Sequence, residues 1–181
     1  MRVLYLIPSP LDSVPSGGGH RLAQIADAMR SNGSEVMVRV ISPECPVPAP
    51  RESRLRRPIR VVSDGEWHPL KCIVATQRID VVVANHPCAH DAVALAELGV
   101  QVVVTTHNFE ARLQMARARR RTWREHAILV ASDALYLRRA ARVWTVSEHD
   151  RSAYRRFYHP PSVTTMPIAV DLLHYPNCRH S

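Results

Sequence analysis

Val14-Pro15-Ser16-Gly17-Gly18-Gly19-His20-Arg21 (VPSGGGHR) sets three glycines side by side in a chain that holds only 6. The apolar run VLYLI at 3–7 precedes them. HRLAQIADAMRSNG follows, with Leu22, Ile25, Ala26 and Met29 at i, i+3, i+4 and i+7, one apolar stripe of a helix that Asn32-Gly33 would stop. EVMVRVI at 35–41 then reads as a strand. The glycines therefore join a strand to a helix inside a strand–helix–strand unit, at the helix N-terminus. Free backbone N–H groups and the helix dipole favour an anion there, and glycine lets a ligand come close to the main chain.

The pattern repeats along the chain. Beyond the proline-rich stretch 43–58, a short strand is expected at 59–62, and Trp67, Leu70, Ile73, Val74 and Gln77 give a helical stripe. DVVVA (80–84) is a strand, CAHDAVALAELG (88–99) a helix closed by glycine, and QVVVTT (101–106) a strand. A long helical region covers about 110–141, then RVWTV (142–146) is a strand, SEHDRSAYRRFY (147–158) a capped helix and SVTTMPI (162–168) the last strand. Continuous Val/Ile-rich strands alternating with helices predict an α/β, Rossmann-like, mostly parallel sheet with helices on both faces. Ligands of such sheets sit outside the carboxyl ends of the strands. The glycine loop, Asn85-His86, His107-Asn108 and Ser147-Glu148 would all meet at that edge.

Composition narrows the function. The 181 residues are 46% hydrophobic and 22% charged, an ordinary globular balance in the size range of one domain. No run is long enough for a membrane span, and 3–7 is too short for a secretory h-region, so the chain reads as cytoplasmic. Cys45, Cys72, Cys88 and Cys178 form no CxxC pair and read as free thiols. The net charge of +8 comes almost wholly from arginine, which suits a phosphate-bearing substrate or peripheral contact with an anionic membrane at its inner face. Nucleic acid is disfavoured, since no RNP, zinc-finger or GxxG signature is present.

Several chemistries fail on spacing. His20, Arg21 and Leu22 follow Gly19, which breaks GxGxxG, and no GK[ST] follows the glycines. His86, Cys88 and His90 lack the fourth ligand of a structural zinc, so no metal is expected. No GxSxG elbow and no pair of flanking carboxylates supports a hydrolase.

MRVLYLIPSP, SGGGHRLAQIADAMRSNGSEVMVRV, DVVVAN, VVVTTHNFE, AARVWTVSEHDRSAY and VTTMPIAVDLLHY occur in the order seen in family 4 glycosyltransferases of the GT-B fold. The chain resembles the N-terminal, acceptor-side half of that family. PIAVDLLHY resembles the segment leading into the second domain, with Ile168-Ala169 in place of the usual Asn-Gly. The resemblance implies a domain at 1–168, a linker or tail at 169–181, and no donor-binding C-terminal domain within the chain. It implies binding of an acceptor (a sugar, lipid-linked or phosphorylated) for retaining transfer from a nucleotide-sugar, which is a co-substrate; no cofactor is expected. A donor-binding domain in trans is the implied partner. The alternative is a half-domain without catalysis, serving as a binding or regulatory module.

On the same resemblance, Gly17, Gly18 and Gly19 face a diphosphate or phosphorylated acceptor, and Arg21 adds a charge-assisted contact. His107 stands near the reacting centre, where polar groups stabilise charge developing on the sugar and the leaving diphosphate. His86, Asn108 and Ser147 line the cleft; Asn108 and Ser147 are also fit to cap helices.

Overall fold

The computed structural model describes residues 1–8, 10–11, 17–41, 64–107 and 123–167. The strand expected at 59–62, the first part of the helical region from 110, Asn108 and the tail from 168 lie outside the described residues.

Six parallel strands form one sheet in the order β2-β1-β3-β4-β5-β6. They are β1 (Arg2–Ile7), β2 (Glu35–Val40), β3 (Val81–Asn85), β4 (Gln101–Thr105), β5 (Arg142–Thr145) and β6 (Val163–Thr165). The helices are α1 (Gly17–Ser31), α2 (Asp64–Thr76), α3 (Ala89–Leu95), α4 (Trp123–Arg139) and α5 (Glu148–Tyr158). This is the α/β, Rossmann-like architecture that the alternation of apolar runs predicts.

Strand alternation sorts the core into two layers. Leu4 and Leu6 of β1 pack with Leu70 and Val74 of α2, Val93 of α3, Leu137 of α4 and Tyr154 of α5. Val3, Tyr5 and Ile7 face the other way, onto Leu22, Ile25 and Ala26 of α1. Right-handed crossovers require this division. The step from β1 to β2 runs one way along the sheet and every later step the other, so α1 lies alone on its face among the described helices. Where α1 stops short, Met29, Val81, Val83, Val103 and Trp144 line an open depression.

Local chemistry adjusts several expected boundaries. α1 starts at Gly17, so the glycines form its first turn and are no loop ahead of it. The helix expected at 88–99 is three pieces: a 3-10 turn at His86–Cys88, α3, and a second 3-10 turn at Ala96–Leu98. Pro87 sits at the start of the first piece, a position whose missing N–H costs nothing. Gly99 ends the last piece at φ 81°, where only glycine is unstrained. The last strand is shorter than expected, because β6 pairs only with β5 through Val163, Thr164 and Thr165.

Candidate functional site

The chain direction reverses along the sheet between β1 and β3, and this topological switch opens a crevice at their carboxyl ends. The first turn of α1, Asn85 and His86 after β3, His107 after β4 and Ser147 after β5 all lie on that edge.

Arg21 is its centre. Arginine is almost never fully buried unless paired, yet this residue is only 2% exposed. Among the described residues, its Nη1 and Nη2 have no hydrogen-bond partner. Burial lowers its proton affinity, while the Tyr5 phenol and the Asp150 carboxylate act the other way. Tyr5 Oη and Thr105 Oγ1 are buried close by, near enough for each hydroxyl to feel the other, and neither reaches full hydrogen-bond geometry with any described residue. Burial pushes the Tyr5 phenol up, against the Arg21 charge and the neighbouring Thr105 hydroxyl. Buried polar groups are nearly always hydrogen-bonded, and an orphaned charge costs more than an orphaned amide. Three elements (α1, β1 and β4) thus send unsatisfied polar groups to one place.

His107 is half-buried, with Nε2 2.7 Å from Nδ2 of Asn85. Burial first, then the charges of Arg21 and His86, pushes its pKa down to about 4. The ring is therefore neutral near pH 7 and suited to hydrogen bonding. His86 faces Asp133 of α4 at 3.8 Å from Nε2 to Oδ1, too long for a hydrogen bond. Burial raises the Asp133 pKa to about 7, and the Tyr158 hydroxyl works against that rise.

Ser147 is the N-cap of α5. Its Oγ accepts from the Asp150 N–H at 3.1 Å and donates to Asp150 Oδ2 at 2.8 Å. Its hydroxyl is committed to the helix even though the residue stands at the edge. Among the described residues, no group of three His, Cys, Asp or Glu side chains is placed to hold a metal ion. No described helix is long and apolar enough to cross a membrane. Among the described residues, neither Cys72 nor Cys88 is joined in a disulfide.

Sequence reading missed Tyr5, Asn85, Thr105 and Asp133. Asp133 carried a signal, since it interrupts the buried stripe that Tyr136 and Leu137 continue on α4. Asn85 was visible only as a strand end.

Among solved structures, the fold is similar to a UGT transferase from Siraitia grosvenorii in complex with UDP, at TM-score 0.56 and 16% identity over 94% of this chain and 52% of that chain. It is also similar to an α-glucosyltransferase in complex with UDP and a 13-mer DNA, at TM-score 0.51 and 16% identity over 96% and 44%. A third is a Glycyrrhiza uralensis protein complexed with glycyrrhetinic acid 3-O-monoglucuronide, at TM-score 0.52 and 12% identity over 92% and 49%. The chain spans about half the length of these structures. No curated protein matches it. The model of Glycosyltransferase Family 4 matches residues 15–173, which hold every described strand except β1, and the chain belongs to that family.

Proposed function

We propose that this chain is the acceptor-side half of a glycosyltransferase that uses a nucleotide-sugar donor, with retention at the anomeric carbon. Its carboxyl edge takes an anionic group, the donor diphosphate or a phosphate on the acceptor. One observation carries the reading: the buried Arg21 guanidinium, without a partner at either Nη among the described residues, at the switch point of a parallel sheet. An oxyanion there would accept from Arg21 and take up the free N–H groups of the α1 first turn at Gly17, Gly18 and Gly19. The UDP held by two of the similar structures is the same class of anion.

His107, neutral and at the open edge, hydrogen-bonds the transferred sugar or the acceptor at the reacting centre. His86 lines the acceptor side with Asp133 behind it, and Asn108, next in sequence after His107, is a further candidate contact. A donor-binding half completes the cleft. The exposed Arg139, Arg142, Arg155 and Arg156 gather at the opposite, amino edge, where they would meet an anionic membrane surface from the cytoplasmic side.

Calorimetric titration of the chain with UDP tests the anion site, with Arg21→Gln as the control. Binding that weakens at least tenfold in the variant supports the site; equal affinity refutes it. Transfer measured after adding a donor-binding half then separates an enzyme from a binding module: UDP binding without transfer identifies the module.

A further inference from the structure

We infer that Asn85 is a positioning residue that locks the His107 imidazole in the tautomer with Nδ1 protonated, so that the ring meets its ligand as a neutral hydrogen-bond donor and not as an acid or base. The functional clause rests on the carboxyl edge being the ligand site; the tautomer itself does not.

The contact is short and sheltered. Asn85 Nδ2 stands 2.7 Å from His107 Nε2, and Asn85 is 1% exposed. An amide Nδ2 only donates, so the ring nitrogen it faces must present a lone pair. In a neutral imidazole the proton then belongs to Nδ1, on the other side of the ring. The backbone holds both partners in place. Asn85 ends β3 and pairs with Thr105 at the end of β4, and His107 follows two residues later. Thr106 is pinned in turn by its N–H to the Trp144 carbonyl at 2.9 Å and its hydroxyl to the same carbonyl at 3.2 Å.

Burial first, and then the charges around the ring, disfavour an imidazolium. Arg21 approaches from α1 and His86 from the turn after β3, and both oppose a second proton on His107. The nearby carboxylates serve other groups: Asp150 lies toward Arg21, and Asp133 toward His86. A neutral ring with a fixed tautomer has one use at such an edge. It offers one N–H in one direction to a ligand oxygen, with no proton to lose or gain across the ordinary pH range. The partner chemistry is a hydroxyl or anionic oxygen of the sugar or phosphate, and a ligand group that can only donate would be refused.

Long-range 1H–15N correlation spectra of the 15N-labelled chain test this, with the His107 signals identified by their loss in His107→Gln. The expected wild-type spectrum at pH 7 shows neutral His107 with the proton on Nδ1 and a bare Nε2. A proton on Nε2, or a cationic ring at pH 7, overturns the inference. In Asn85→Asp the amide donor becomes a carboxylate, so the proton should move to Nε2 and the ring's proton affinity should rise roughly ten- to thousandfold. An unchanged tautomer in a folded Asn85→Asp also overturns it. If that variant does not fold, the wild-type spectrum still decides, because it involves no substitution. These spectra need no turnover, so they fail or succeed independently of the glycosyltransferase reading.

Discussion

His86 and Asp133 face each other across 3.8 Å with side chains 11% and 9% exposed, and the carboxyl of that pair titrates near neutrality. Its pKa of about 7 in the fold lies above the ordinary 3.8. A raised carboxyl favours the fold while protonated, and this contribution disappears as pH rises through 7. His107 does the reverse: its pKa falls from 6.5 to about 4, so its contribution is complete above 6.5 and shrinks as pH drops toward 4. The two slopes oppose each other between pH 4 and 6.5. Asp133→Asn removes one of them, so stability should climb with pH across that window and exceed wild type at pH 8 by roughly 2–4 kcal/mol. Urea unfolding at pH 4, 5.5, 7 and 8 measures this; matching profiles for variant and wild type would show that Asp133 does not titrate there.

Arg21→Met should stabilise the unliganded chain. A thioether of similar reach replaces a buried guanidinium with no hydrogen bond at either Nη, and an unsatisfied buried group costs about 1–3 kcal/mol. The melting temperature should rise by about 2–4 °C per kcal/mol recovered, while UDP affinity drops. A variant less stable than wild type would mean that the guanidinium is already satisfied in the free protein.

Ser147→Ala separates a cap from a ligand contact. Loss of the hydrogen bond to the Asp150 N–H should cost about 1 kcal/mol, the usual scale for an N-cap. UDP binding should stay at the wild-type level. A drop in affinity with no change in melting temperature would give the hydroxyl to the ligand instead.

Gly18→Val probes the first turn of α1. A β-branched side chain would obstruct the approach of an anion to the backbone N–H groups, so UDP affinity should fall tenfold or more. Helix propensity argues for little loss of stability, since valine is the better helix former of the two. Wild-type affinity in Gly18→Val would leave the glycines with a purely local role.

Much of the fold was legible because its determinants are local. Val82, Val83 and Ala84 announce a strand buried on both faces, and Leu22, Ile25 and Ala26 announce the inner stripe of α1. Gly33 and Gly99, at φ 77° and 81°, mark helix ends as their positions suggested. His159 ends α5 in the same left-handed region at φ 50°, which nothing about a histidine foretells. The site was legible in position and not in state. Strand ends placed Arg21, His86, His107 and Ser147 on one edge. That Arg21 is buried, and that Asn85 faces His107, depends on contacts between elements far apart in sequence.

The register of the central strands has a consequence for how this chain is made. Val3 of β1 pairs with Val81 of β3, while β1 meets β2 much earlier in the sequence, through Arg2 and Glu35. At about 5–20 residues per second, synthesis leaves roughly 4–16 s between the emergence of β1 and that of its second neighbour. Through that interval a strand whose residues 3–7 are destined for complete burial has one unpaired edge and no cover from α3, α4 or α5. The nascent chain is then most exposed to wrong pairing, and most in need of a chaperone, just before the middle of the sequence leaves the ribosome.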